Sequence, residues 1–144
     1  MTAAVTVAMV GVIVVALGLV VVLAREPGPS PAEVVEAYEL AWDRLDFETL
    51  WSLSGPELRD GRSRPDFVAD KRAAYARRPE LGGLARDVAL EEVVTGSDAA
   101  VVRTRLELRD DSVVRNELRL ERRGGQWLVV GYELRAAPDA APAG

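Results

Sequence analysis

The chain has 144 residues, 18 basic and 23 acidic, with a net charge of −5 and neither Cys nor His. That composition removes disulfides, thiol nucleophiles, zinc sites built on Cys or His, and the commonest general base at neutral pH. The acidic balance argues against nucleic acid, whose phosphates call for a basic surface.

From Ala3 to Ala24 the sequence carries no charge and is mostly Val, Leu, Ile and Ala. As a helix this run measures about 33 Å, against a hydrocarbon core of about 30 Å. An N-terminal transmembrane anchor is therefore expected over residues 1–25, making the membrane a partner through residues 3–24. Val22-Leu23-Ala24 offers the small residues of a signal-peptide cleavage site. The apolar run nevertheless exceeds the roughly 7–15 residues of a signal peptide and no Lys or Arg precedes it, so an uncleaved single-pass anchor is the expectation. Arg25 points to a cytoplasmic domain, with an extracytoplasmic one as the alternative.

Residues 26–31 form a Pro-rich spacer, extended over about 15 Å, ahead of one domain expected over 32–135. Ser30, Pro31 and Glu33 have the spacing of a capping box with Pro at the first helical position. Val34, Tyr38, Ala41, Trp42 and Leu45 then recur at helical spacing, leaving Glu33, Glu36, Glu39, Asp43 and Arg44 for solvent or a neighbouring element. Leu45-Asp46-Phe47 reads as a break, with Asp46 capping a short helix that carries Phe47, Leu50, Trp51 and Leu53. Ser54-Gly55-Pro56-Glu57 repeats the capping-box spacing and suggests one more turn through Leu58. After a polar loop, Ser63, Pro65 and Asp66 open a third helix that Pro79 closes. Its narrow stripe of Phe67, Lys71, Ala74 and Tyr75 suits a helix lying over an opening. Arg62, Arg64, Lys71, Arg72, Arg77 and Arg78 gather around it, while the first two helices are acidic; the basic helix is expected to pack beside the acidic ones or sit in solvent, the alternative being contact with anionic lipid headgroups if the domain faces the cytoplasm.

Beyond Leu81-Gly82-Gly83 the pattern turns to strands at residues 87–94, 99–109, 113–123 and 126–135. Ala100, Val102, Thr104, Leu106 and Leu108 alternate with charged residues, as do Val114, Asn116, Leu118 and Leu120. With Asp110, Asp111 and Ser112 as the turn, the register pairs Leu108 with Val114, Leu106 with Asn116, Thr104 with Leu118 and Val102 with Leu120, setting Glu107 opposite Arg115 and Arg105 opposite Glu117. In the last strand Leu128, Val130, Tyr132 and Leu134 are expected to face the helices, with Trp127 and Val129 covered on the other side. Residues 136–144, rich in Ala and Pro, are expected to be a disordered tail. Helices followed by strands define an α+β domain, with about three helices on a four-stranded antiparallel sheet. There is no repeat and no Gly-rich phosphate loop, so neither a cofactor nor a metal is expected.

The Val-Val-x-Ala-Tyr helix, the Leu-Asp-Phe-Glu-Thr-Leu-Trp-Ser-Leu break at residues 45–53, the following Ser-Gly-Pro-Glu-Leu-Arg, and Gly-Gly-Gln-Trp-Leu-Val-Val at residues 124–130 together resemble the cystatin-like, nuclear transport factor 2-like superfamily. The similarity spans nearly all of residues 31–135, and small anchored or secreted bacterial domains of unknown function are its near matches. The resemblance implies a curved sheet wrapped around a long helix, a conical cavity, and dimerisation through the sheet. Enzymes of the superfamily move protons with a buried Asp or His beside a Tyr or Asp donor. Here no acid has inward parity on the central hairpin, so no catalytic residue is assigned and the chain is not expected to be an enzyme.

Two functions from different classes follow. One is a membrane-tethered, non-catalytic interaction module, with a homodimer through the sheet face. The other is a binder of a small apolar ligand in the cone, with Tyr38, Trp42, Tyr75, Asn116, Leu118 and Tyr132 as candidate cavity residues. Asn116, polar on an apolar face, is expected near the wetted mouth, the alternative being a buried hydrogen-bonding handle.

Overall fold

The computed structural model describes residues 28–135; the expected anchor at 1–25, the first two residues of the spacer and the tail at 136–144 lie outside the described residues. Among the described residues no helix is long and apolar enough to cross a membrane. Three helices, α1 (Pro31–Asp43), α2 (Phe47–Leu53) and α3 (Arg64–Ala76), precede four strands, β1 (Ala85–Thr95), β2 (Ala99–Leu108), β3 (Val113–Arg123) and β4 (Gln126–Arg135). The strands pair antiparallel in the order β1-β2-β3-β4.

The helix starts follow the local chemistry. Ser30 Oγ accepts from Glu33 N at 3.3 Å while Glu33 Oε2 accepts from Ser30 N at 2.7 Å, closing the capping box reciprocally. Asp46 takes both Thr49 N (3.2 Å) and Thr49 Oγ1 (2.6 Å) at the start of α2, and Ser63 Oγ takes Asp66 N (3.4 Å) at the start of α3. The break between α1 and α2 is made at Leu45, whose φ of 53° is left-handed. Ser54 departs from expectation, because its hydroxyl donates to Leu50 O at 2.6 Å instead of capping a further turn. Gly55 is the cap of the 3-10 turn Pro56–Leu58, and Gly55 N donates to Val129 O at 2.8 Å, fastening the end of α2 to β4. The basic and acidic helices do meet, through Arg64 and Glu48 at 2.7 Å.

The central hairpin is shifted by two residues from the expected register. Leu106 pairs with Val114, Thr104 with Asn116, Val102 with Leu118 and Ala100 with Leu120. The reason lies in the turn. Asp111 takes a left-handed φ of 68° and its N–H donates to Leu108 O at 3.0 Å, while Leu108 N donates to Ser112 O at 2.9 Å. The loop is thus Arg109-Asp110-Asp111, a three-residue turn closed by a left-handed residue, rather than Asp110-Asp111-Ser112. A shift of two keeps every side chain on its expected face but re-pairs the charges. Arg103 now stands opposite Glu117, at 3.0 Å, and Arg105 lies opposite Arg115, whose guanidinium is taken up by Glu91 at 3.2 Å.

A second irregularity sits in β4. Leu120 pairs with Val129 but Arg119 pairs with Gly131, so Val130 is the extra residue of a bulge. Val129 is therefore inside with Trp127 packed on the core below the bulge, and Tyr132 is inside above it. Leu128 pairs with Glu121 on the outer face, and Leu134 is 74% exposed, so neither packs on the helices as expected. The dry core lies between the first half of α1, α2 and the sheet, with Val35, Leu50, Val102, Leu118, Leu120 and Val129 almost wholly buried.

Two residues of the same sheet should then differ sharply. Leu118→Ala, at a fully buried position, is expected to cost about 2–5 kcal/mol in urea unfolding. Leu134→Ala, at the exposed end of β4, is expected to stay within about 0.5 kcal/mol.

Candidate functional site: a polar floor beneath an aromatic cavity

Val35, Tyr38, Glu39 and Trp42 follow one another at helical spacing on the side of α1 that faces the sheet. Glu39 is only 1% exposed, although its residue type belongs on the surface. Its Oε1 accepts from Thr104 Oγ1 of β2 at 2.9 Å and from Asn116 Nδ2 of β3 at 3.1 Å. Asn116 Nδ2 also donates to the Tyr132 hydroxyl of β4 at 2.6 Å, and that hydroxyl lies 3.4 Å from Glu39 Oε2. Asn116 Oδ1 is buried and has no hydrogen-bond partner among the described residues.

This network is the floor of a cavity of about 310 Å³. Trp42, Tyr75 and Tyr132 supply aromatic wall, Leu106 and Val114 aliphatic wall, and Leu81 and Leu84 a partly exposed rim. Trp42 and Tyr75 have ring centroids 6.1 Å apart, and Phe47 stands 5.3 Å behind Tyr75. The expectation for α3 holds only in part: Tyr75 lines the cavity, but Phe67 and Val68 of the same helix are buried in the core. Asp43 also lines the cavity, but its Oδ1 is engaged by Ala85 N at 2.8 Å, which joins the end of α1 to the start of β1.

Burial pushes the Glu39 carboxyl above its ordinary value, and it outweighs the Asn116, Thr104 and Tyr132 hydrogen bonds that favour the charged form. Burial likewise pushes the Tyr132 phenol far up, with the adjacent Glu39 adding to the shift, and raises Tyr38. Both phenols thus stay protonated and available as donors.

Of the six cavity residues expected from the sequence, Trp42, Tyr75, Asn116 and Tyr132 come together around this space. Tyr38 and Leu118 do not line it. Tyr38 is buried between Trp42 and Tyr132, with centroids at 6.5 and 5.8 Å, and Leu118 lies in the dry core. Asn116 is 1% exposed, the buried handle and not the wetted residue, because α1 lays Glu39 across it. Glu39 itself was assigned to solvent or a neighbouring element, and Thr104 only to the apolar face. The available signal was the Val34-Val35 pair, which widens the apolar stripe so that the residue four beyond Val35 also turns inward.

No family model matches the chain, and no curated protein matches it. Solved structures do match. An uncharacterised nuclear transport factor 2-like protein from Shewanella oneidensis is 18% identical, covering 72% of this chain and 93% of its own, with a TM-score of 0.52. A nuclear transport factor 2-like protein of Campylobacter jejuni, named for a conjectured transpeptidase activity, is 20% identical over 70% of this chain and 97% of its own, at a TM-score of 0.50. A SEC-C motif protein from Rhodopseudomonas palustris is 16% identical over 79% of this chain and 86% of its own, at 0.56. The described residues therefore have the nuclear transport factor 2-like, cystatin-like fold, and identities this low speak for the fold alone.

The raised Glu39 sets a pH dependence with a definite sign. A folded-state value above the ordinary 4.5 means that the native protein holds a proton the unfolded chain has released. Stability from this group is therefore greatest below about pH 4.5 and declines as pH rises through the raised native value. Glu39→Gln removes the titration. The difference in unfolding free energy, variant minus wild type, should grow in favour of the variant across that window and then level off, as measured by urea melts at stepped pH; a flat difference would mean that Glu39 is not buried as described.

Proposed function

We propose that this domain binds a small, mostly apolar molecule in the cone, without turning it over, and that residues 3–24 hold it at a membrane. The observation that carries the binding role is a space of about 310 Å³ with aromatic and aliphatic walls and a short polar floor. That is the composition of a ligand site, where apolar area supplies affinity and a few fixed polar groups supply orientation.

Glu39 beside Tyr132 is the kind of pair that a proton transfer would use. An orienting role suits it better. Two donors at 2.9 and 3.1 Å hold Oε1 in place on a carboxyl that is 1% exposed. The sheet face, the surface expected to form a homodimer, has less in its favour. Several of its guanidinium groups are already paired within the chain, Arg103 with Glu92 (2.7 Å) and Glu117 (3.0 Å), Arg115 with Glu91 (3.2 Å). Exposed pairs of this kind are worth about 0–1 kcal/mol each and suit a solvated surface.

The full chain in lipid nanodiscs, titrated calorimetrically with the neutral probe tryptophol and with empty discs as the blank, should show saturable binding. Leu84→Trp places a bulky ring at the partly exposed rim and should weaken it at least about tenfold. Heats no larger than those of empty discs, for tryptophol and for its amine analogue tryptamine alike, would refute the reading.

A further inference from the structure

Building on that binding role, we infer the class of ligand: a protonated organic amine with an apolar body, its cationic head set against Glu39 and among the rings of Trp42, Tyr75 and Tyr132.

The first reason is charge. Glu39 and Asp43 both line the cavity, and no Lys or Arg stands among the described lining residues. Elsewhere acids and arginines pair freely, as Arg123 does with Glu57 and Glu121, or Arg86 with Asp111 and Glu107. Burying a carboxylate without a counter-ion is costly, and buried charges are ordinarily paired. A cationic ligand brings the partner that the fold leaves out, whereas an anionic one would meet two carboxylates.

The second is vacant acceptor capacity. Asp43 is tied to Ala85 N, and Glu39 Oε1 is occupied twice. Glu39 Oε2 has only the long 3.4 Å contact with the Tyr132 hydroxyl. A carboxylate can accept about four hydrogen bonds, so Glu39 Oε2 has room for an incoming N–H, as has the second oxygen of Asp43. Asn116 Oδ1, buried without a donor, is a second unfilled acceptor in the same network.

The third is the wall. Three aromatic rings face one small space that also contains the carboxylate. Aromatic rings attract cations through their quadrupole, and a neutral alcohol gains nothing comparable. The volume of about 310 Å³ lies at the low end of the usual range for ligand pockets, about 300–1,000 Å³. It suits a small arylalkyl or alkyl amine and is too small for a lipid.

Tryptamine and tryptophol share a ring and chain length and differ in the head group, ammonium against hydroxyl. Titrated at neutral pH into the full chain in nanodiscs, with empty discs subtracted, tryptamine should bind at least about tenfold more tightly than tryptophol. Glu39→Gln, with its fold verified by near-ultraviolet circular dichroism, should lower the ratio of the two affinities at least about threefold, the rings and Asp43 keeping the remainder. Equal or tighter binding of tryptophol to the wild-type chain would overturn the amine assignment while leaving the cavity a binding site, and needs no variant to establish. A preference for tryptamine that is undiminished in Glu39→Gln would overturn the role of that carboxylate. Binding of neither probe would defeat both the amine assignment and the binding role itself.

Discussion

The burial of one acid, Glu39, is the constraint on which the arrangement of this domain turns. Its carboxyl is reached by Thr104 from β2, Asn116 from β3 and Tyr132 from β4, so a single helical residue is tied to three consecutive strands. Apolar packing alone lets a helix slide or roll over a sheet at modest cost. A buried carboxyl does not, because any displacement strands a polar group where water cannot reach it. The network also divides the space under α1. Toward the helix start, Val35, Val102, Leu118 and Leu120 close into a dry core; toward its end, Trp42, Leu106 and Val114 stand back around a cavity.

That division depends on local departures from regular strand geometry. The left-handed Asp111 sets the hairpin so that Thr104 and Asn116 are directly opposite each other, which is why both can reach one carboxylate oxygen. The bulge at Val130 lets β4 point Val129 into the dry core and still bring Tyr132 to the floor; regular alternation would have sent one of them outward. Ser54 and Gly55 then hold the bulged stretch against the end of α2, through Val129. A second bulge, between Leu90 and Glu92 in β1, leaves Glu91 free to take up Arg115 across the intervening strand.

Much of this was legible in the sequence because it is written in local chemistry. The helix starts at Ser30, Asp46 and Ser63, the four strands and the inward face of the hairpin all rest on spacing within a few residues. The failures have one cause: they depend on how distant segments meet. A two-residue register shift preserves face and alternation, so hydrophobic pattern cannot detect it, and only the turn conformation decides. The bulge at Val130 has no signature in a strand apolar on both sides. Glu39 is the clearest case. On the helix it falls among Glu36, Leu40 and Asp43, and nothing there shows that Thr104 and Asn116, 65 and 77 residues further on, will receive it. Asn116 was noticeable as a polar residue out of pattern, and its neighbour in space was the missing half of the reasoning.

Where the cations are is as informative as where the acid is. The chain has 18 basic residues, and the described ones lie on the outer sheet face, the loops and the exposed sides of the helices. Arg59 spreads over the Trp51 ring at 3.7 Å, Arg123 holds Glu57, and Arg119 fills the space above Gly131 that a β-carbon would occupy. Positions 106 and 114 are inward, paired with each other and on the cavity wall beside Glu39. An Arg at either would neutralise the carboxyl and fill the cavity at one stroke. Leu and Val there do neither. The acid is held by neutral donors that fix its position and supply no counter-ion, and the space above it is lined by aliphatic side chains and rings. A group meant only to lock a helix to a sheet needs the first of these features and not the second. The two together are what a site requires when the missing charge is to arrive from outside.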